Sequence, residues 1–388
     1  MANRANSRYG SVTRYWSSAS GFWRRQSAVT SWPLTIGLLL IGIFQLSVQY
    51  RLNYWNRDFF NALAGRDSAG LWHQAIIFVP LACLSVGLSV TSVWTRMTTQ
   101  RKWREWLTTN ILDTWLSQER YRRLASVTGE YKNAEYRISY DARLATDAPV
   151  DLALGFFTST LTAAVFVGVL WSVGGSLEAS VGTVGVTVPG YLVAGAGIYA
   201  LVFTGAMIAI GRNLPAVVQT QSQAEAEFLA AANQIRELAG AAKATPGEHE
   251  KQQTLRDAFR EVLLRWRQLC WQLMGTTLVS QTDLLFAPAF AWILCAPKYL
   301  AGTMTLGELT QASAAFVTVQ VAFNWLVDNY QRMSDWRSAV SRVTALLLAF
   351  DELELSDAKS NVSVGPSRVE ITPERQNNEL SHRIRVSE

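Results

Sequence analysis

Long runs without charged residues constrain this chain more than any other feature. Four runs contain no Asp, Glu, Lys or Arg, and they occupy residues 26–50, 68–95, 152–177 and 179–211. Two more runs occupy residues 269–297, interrupted only by Asp283, and residues 309–327. An α-helix needs about 20 mostly apolar residues to cross the hydrocarbon core of a bilayer. The pattern therefore predicts an all-α membrane protein with six transmembrane helices.

The positions of the basic residues predict how these helices are oriented. The chain has 35 Lys and Arg residues, and all but four lie in the N-terminal segment, in the segments that follow residues 95 and 211, or after Asp328. The four exceptions are Arg51, Arg57, Arg66 and Lys298. Because cytoplasmic loops carry an excess of Lys and Arg, both termini and both long connections should be cytoplasmic. The net charge of +5 follows from this topology and does not indicate nucleic-acid binding.

Two of the connections are far longer than a loop requires. Residues 96–149 and 212–275 keep a helical character and break near residues 127–129 and 244–247. Paired helices of about 25 residues would extend roughly 35–40 Å beyond the membrane, at 1.5 Å per residue. We expect two helical arms in the cytoplasm, and their tips are predicted at Gly129, Asn133, Pro246 and Gly247.

The last two spans should form a hairpin, because a short connection containing Gly302 and Gly307 joins them. Apolar residues at helical spacing then continue past Asp328, so the last helix is predicted to leave the bilayer without interruption.

The chain divides into three predicted parts. Residues 1–31 are basic and aromatic and should lie on the anionic inner leaflet. Residues 32–350 form the six-helix domain. Residues 351–388 lose periodicity, mainly after Leu355, and should be a disordered cytoplasmic tail.

Several segments resemble a known family. They include LNYWNRDFFNAL, RKWREWLT, NAEYRISYD, AEAEF and APKYLAGTMTLGELTQASAAFVTVQVAFNWLVDNY. In this order, over roughly residues 30–350, they are similar to SbmA/BacA-type peptide transporters and to the transmembrane domain of subfamily D ABC half-transporters. The resemblance implies an ABC exporter-type transmembrane fold, a domain-interlocked homodimer and a location in the bacterial inner membrane. It also implies import of peptides or peptide-like antibiotics, driven by the proton gradient.

The energy source leaves alternatives open. ATPases carry G-x-x-x-x-G-K-[ST], and no lysine of this chain follows a glycine. We therefore expect no ATP site in this chain, and ATP as a cofactor only if a separate ATPase subunit exists. The alternatives are the transmembrane subunit of an ATP-driven transporter, with its ATPase on another chain or lost by truncation, and a non-transporting scaffold or sensor. No Ser-His-Asp, Cys-His or metal-ligand spacing is evident, so neither an enzyme nor a metal site is expected.

Proton coupling requires a carboxyl group that the protein can hold in its neutral form inside a membrane cavity. Asp283 is the first candidate, because it is the only acid within an apolar span. Its alternative role is a hydrogen bond between helices. Glu225 and Glu227 are further candidates, although charged faces of such arms are usually only solvated.

Four aromatic residues at membrane depth are candidates for lining a peptide pathway: Trp171, Tyr199, Trp292 and Trp325. Such residues more often serve packing or the interfacial belt.

Other charged residues are expected to be structural. Asp141 and Arg137, and Arg57 with Asp58, are predicted to form ion pairs or turns, and Glu308 and Asp328 should cap the last span.

Overall fold

The computed structural model describes residues 15, 19–24, 28–126, 134–181, 184–240 and 247–363. The helices are α1 (Gly21–Arg24), α2 (Ala28–Ala64), α3 (Ser68–Leu116), α4 (Arg120–Ser126), α5 (Ala134–Tyr136), α6 (Ala142–Gly174), α7 (Tyr191–Gly211), α8 (Leu214–Gly240), α9 (Glu248–Leu300), α10 (Leu306–Asp328) and α11 (Tyr330–Ser363). A 3-10 turn, Ser117–Glu119, precedes α4, and a π-helical turn, Arg137–Asp141, precedes α6. The predicted all-α class is confirmed.

Five helical stretches are long and apolar enough to cross a membrane. They lie within Ala28–Ala64, Ser68–Leu124, Ala134–Gly174, Tyr191–Glu237 and Lys251–Leu300. The sixth predicted span falls in α10, which is helical but also contains Gln311, Gln320 and Asn324. These polar residues keep α10 outside the group of five, so its crossing of the membrane stays a prediction.

One predicted span begins later than the sequence indicated. Strand β1 (Ser176–Val181) pairs antiparallel with strand β2 (Val184–Pro189). The prediction of a helix from residue 179 was therefore wrong, and α7 starts at Tyr191. Gly190 allows the turn from β2 into α7, because its φ is +62° and a Cβ there would lie 2.3 Å from the Trp171 ring.

Helix α10 occupies the centre of the membrane bundle. It contacts α2, α6, α7 and α9, and it buries Ala312, Ala315, Phe316 and Val319. Small residues allow this close packing, which drives helix association in membranes. The closest approach is at Gly307, where an added Cβ would lie 2.1 Å from the Arg57 carbonyl oxygen.

A second apolar core lies in the first arm, which comprises the end of α3, α4, α5, the start of α6, and α11. Its buried residues include Trp103, Leu107, Ile138, Leu346 and Phe350. Tyr15, Ala19 and Phe22, which precede α2, also belong to this core.

Phe22, Trp23 and Tyr15 pack in the first arm against residues such as Trp103. The prediction that the N-terminal segment lies on the inner leaflet was therefore wrong for these aromatic side chains, which find apolar surface in the protein.

The second arm consists of α8 and the first half of α9, which pack against each other. Gly247 is the N-cap residue of α9, and its position at an arm tip stays a prediction. The other predicted tips, Gly129, Asn133 and Pro246, lie outside the described residues.

The last helix differs from its prediction at both ends. Asn329, with φ −98° and ψ 3°, separates α10 from α11, so the predicted uninterrupted helix is broken there. Its side chain donates to the Trp325 carbonyl oxygen at 2.9 Å. Helix α11 continues to Ser363, so the first part of the tail predicted as disordered is helical. Residues 364–388 lie outside the described residues.

Candidate functional site

Asp283 lies at a cavity between α7, α9 and α10. The cavity has a volume of about 260 Å³. The Asn324 side chain donates to Asp283 Oδ2 at 2.7 Å, and the Tyr199 hydroxyl donates to the Asp283 carbonyl oxygen at 3.2 Å. Asp283 Oδ1 is buried and has no hydrogen-bond partner among the described residues. The hydrogen bond between helices that was the alternative role for Asp283 is therefore present, while its part in proton coupling stays a prediction.

Other polar groups fix the geometry of this cavity. Thr204 on α7 donates to the Asn324 side-chain oxygen at 3.4 Å, and Gln320 donates to the Ala196 carbonyl oxygen at 3.1 Å. Asp328, which ends α10 as predicted, also lines the cavity. As far as its described lining shows, the cavity contains two acids and no base. This charge favours protons or other cations over anions.

The other two acidic candidates lie elsewhere. Glu225 and Glu227 are exposed on α8, where they accept hydrogen bonds from Gln221 and Gln223. Neither residue lines the Asp283 cavity. Their part in proton coupling stays a prediction.

The aromatic candidates do not converge on one place. Tyr199 is buried and stacks on Phe203, with ring centroids 4.4 Å apart. Trp325 packs over Gly155, while Trp171 and Trp292 are 57% and 52% exposed. None of the four lines the Asp283 cavity. Their predicted role in a pathway is left as a prediction.

Asp141 and Asp58 each form an ion pair, as predicted, but the partner of Asp141 is Arg342. Arg342 forms two hydrogen bonds with Asp141, and Arg137 donates to the Arg342 carbonyl oxygen at 3.4 Å. The bond to Asp141 raises the pKa of Arg342 above its ordinary value. Arg57 and Asp58 pair at 3.0 Å. The prediction of a structural role for these charges is confirmed in geometry.

Asp151 is a structural residue that the sequence pattern did not indicate. Gln100 donates to its Oδ1 at 2.8 Å, Arg96 lies 3.5 Å from the same oxygen, and Arg332 donates to Oδ2. Asp151 thus joins α3, α6 and α11 at the base of the first arm. One signal was available, since Asp151 directly precedes a charge-free run and Arg96 directly follows another.

Glu308 fulfils its predicted role at the start of α10. Its carboxylate accepts from the Thr305 backbone N–H at 2.8 Å, and the Thr305 hydroxyl accepts from the Glu308 N–H at 3.1 Å. This reciprocal capping box satisfies two of the free N–H groups at the helix terminus.

A bundle with five helices able to cross a membrane, a polar cavity beside its central helix and two helical arms define a membrane domain of the ABC exporter type. The chain belongs to the family ABC transporter transmembrane region 2, which it matches over residues 26–300. The resemblance inferred from the sequence is confirmed at the level of the family.

Relatives in bacteria and plants carry related names. The chain is 27% identical over 341 residues to the inner membrane ABC transporter ATP-binding protein YddA of Escherichia coli, covering 86% of this chain and 60% of the relative. It is 26% identical over 329 residues to an uncharacterized ABC transporter ATP-binding protein of Synechocystis, covering 82% and 47%. It is 20% identical over 373 residues to ABC transporter D family member 2, chloroplastic, of Arabidopsis thaliana, covering 94% and 49%. The chain thus spans about half the length of the relatives it matches.

Proposed function

We propose that this chain forms the pathway of a transporter that imports peptides or peptide-like molecules across a bacterial inner membrane. The observation that carries the proposal is the polar cavity at Asp283, which α7, α9 and α10 line within the helical bundle. Polar and ionisable groups are costly in the bilayer and usually face the bundle interior or a water-filled path. A cavity with carboxylate and amide groups suits a hydrated substrate better than lipid.

The working unit of this proposal is a homodimer. Helix α8 packs mainly against α9, which leaves apolar side chains of the second arm uncovered. Leu229, Phe259 and Leu263 are all about half exposed or more. Apolar patches that project into water usually mark an interaction surface. A second copy of the chain would cover this surface and complete a central pathway with both arms in the cytoplasm.

The proposed driving force is the proton gradient, with Asp283 as the coupling group. Its unpaired Oδ1 offers a place for a proton inside the cavity. Protonation removes one negative charge from a lining that contains two acids and no base among its described residues. It also turns Asp283 into a hydrogen-bond donor. Both changes alter what the cavity binds, which is the requirement for coupling transport to proton movement.

ATP hydrolysis is the second candidate for the driving force. The relatives are named as ATP-binding proteins, and they extend well beyond the part that this chain matches. In this case the arms would transmit the motion of an ATPase that lies on a separate subunit or in a part of the protein beyond the matched region.

Transport measurements separate the two candidates. The purified full chain is reconstituted in liposomes, and uptake of a labelled peptide is followed under an imposed acid-outside gradient. We expect uptake that a protonophore abolishes. In parallel, inside-out vesicles from cells that make the protein are given ATP with the gradient collapsed. Transport only in the second assay would assign the energy to ATP. No transport in either assay would contradict the proposal and favour a scaffold or sensor.

A further inference from the structure

A second cavity lies on another side of α10. It has a volume of about 340 Å³ and is lined by residues of α2, α6 and α10. The polar side chains that line it are Gln45, Gln49, Thr158, Ser159, Thr162 and Thr318. All of them lie within runs without charged residues. Within the described lining, no side chain carries a charge.

These side chains retain most of their hydrogen-bonding capacity. The hydroxyls of Thr158 and Thr318 donate to carbonyl oxygens of their own helices at 2.9 and 2.8 Å, which leaves their oxygens free to accept. Gln49 and Thr162 make no hydrogen bond to any described residue. Gln45 reaches Ser89 only at 3.5 Å. The cavity therefore offers amide N–H donors together with hydroxyl and amide acceptors.

Such groups require a polar partner at membrane depth. Neutral polar side chains without hydrogen bonds are unfavourable in hydrocarbon, so they face water, a ligand or another protein surface. Val317 and Val321 line both this cavity and the Asp283 cavity, so the two spaces adjoin along one face of α10. This continuity favours a ligand that passes from one cavity to the other.

We propose that the cavity between α2, α6 and α10 is a subsite for the main chain of the transported peptide, an inference that rests on the proposed function. A peptide main chain alternates N–H donors and C=O acceptors. Hydroxyl oxygens such as those of Thr158 and Thr318 match the donors, and the Gln49 amide matches both. Because the subsite lacks charge, it tolerates any side chain. Pockets for small ligands span about 300–1,000 Å³, so this one holds a short stretch of main chain.

Peptide analogues and isosteric variants test the subsite. The probes are labelled trialanine and trialanine methylated on its amide nitrogens, which has no amide N–H groups. In liposomes that contain the wild-type dimer, unlabelled peptides compete with labelled trialanine for uptake. We expect the methylated peptide to compete roughly three- to tenfold more weakly than trialanine for each lost hydrogen bond. In the double variant Thr158→Val and Thr318→Val, half-saturation by trialanine should rise by a similar factor, and the penalty for methylation should shrink.

Thr160→Val is the matched control for the two threonine substitutions. Thr160 lies on α6, is exposed, does not line the cavity and donates to the Phe156 carbonyl oxygen at 2.8 Å. We expect this variant to behave as the wild type with both peptides.

Three outcomes would overturn the subsite. The first is wild-type transport with equal competition by both peptides. The second is a double variant that behaves as the Thr160→Val control does. The third is a double variant that chemical cross-linking no longer captures as a dimer. That result would make this surface an interface between two copies of the chain. If the wild type transports neither peptide, the proposed function fails separately. Direct binding of the two peptides to the purified protein then decides the subsite, since equal affinities contradict it.

Discussion

Arg342 on α11 holds Asp141 within the first arm through two hydrogen bonds. Its Nε donates to Asp141 Oδ2 at 2.8 Å, and its Nη2 donates to Oδ1 at 2.7 Å. The Asp141 side chain is fully buried, whereas the Arg342 side chain is 44% exposed. The ion pair therefore ties the helix that follows the membrane bundle to the helix that enters it, and its two members differ in their access to water.

This difference predicts unequal costs for removing the two partners. Arg342→Gln leaves a buried carboxylate without its cation and should cost about 3–5 kcal/mol of unfolding free energy. Asp141→Asn should cost less, about 1.5–3 kcal/mol, because water can solvate the freed guanidinium. Unfolding of the purified protein in mixed micelles measures both. Arg337→Gln, at an exposed position on the same helix, is the control and should have little effect. Equal costs for the first two variants would contradict the asymmetry.

A side chain at position 307 is expected to cause a packing defect at one end of the bundle. Its N–H donates to the Asn61 side-chain oxygen at 2.9 Å, and a Cβ would lie 2.1 Å from a backbone oxygen of α2. Gly307→Ala should therefore separate α2 from α10 and cost about 1–3 kcal/mol. Gly37→Ala is the control, since nothing lies within 4 Å of a Cβ there. The same unfolding assay applies, and similar values for both variants would refute the close contact.

The Tyr15 hydroxyl is expected to make a pH-dependent contribution to the free energy of unfolding. Its hydroxyl donates to the Ala145 carbonyl oxygen at 2.6 Å, and burial raises its pKa above the ordinary value of 10.0. Tyr15→Phe should cost about 0.5–1.5 kcal/mol at neutral pH. Because the pKa in the folded state is the higher one, this difference is constant below pH 10 and shrinks as the pH rises further.

Unfolding of wild type and Tyr15→Phe at several pH values on both sides of pH 10 measures this trend. Tyr121→Phe, which changes a partly exposed ring of the same arm, is the control. A difference between wild type and Tyr15→Phe that grows above pH 10 would contradict the assignment.

Asp283 is the carboxyl group that we expect to couple transport to protons. Asp283→Asn keeps the side-chain shape but cannot bind and release a proton, so gradient-driven uptake should fall to the rate measured without a gradient. Glu225→Gln should keep gradient-driven uptake, because Glu225 is exposed on α8. Uptake in liposomes at a fixed pH difference compares the two variants. Normal coupling in Asp283→Asn would remove this residue from the mechanism.

The sequence predicted the parts of the fold that depend on charge and on glycine. Hydrocarbon excludes charged residues, so the charge-free runs located α2, α3, α6 and α9. Gly302, which has a φ of +72°, marked the turn between the last two spans. Asp283 was identifiable because it is an acidic residue inside one of these otherwise uncharged runs.

Charge-free runs and glycines predict neither the ion pairs between residues far apart in the sequence nor the local β-structure. Asp141 was expected to have a partner, but nothing in the chain shows that the partner lies 201 residues away. Val184 and its neighbours satisfy the apolar criterion for a span, although they form a strand. Neutral polar residues such as Asn324 and Thr318 do not interrupt a charge-free run, so the lining of both cavities could not be identified before the helices were packed.

Val321 offers the most direct test of a polar pathway beside α10. It lines both cavities and is 65% exposed in the single chain. In a background with the three native cysteines replaced by serine, Val321→Cys should react with a membrane-impermeant thiol reagent, and peptide should slow the reaction. Val86→Cys, on the exposed apolar surface of α3, should remain unreactive. A Val321→Cys variant as inert as Val86→Cys would place this face of α10 in lipid and contradict the account.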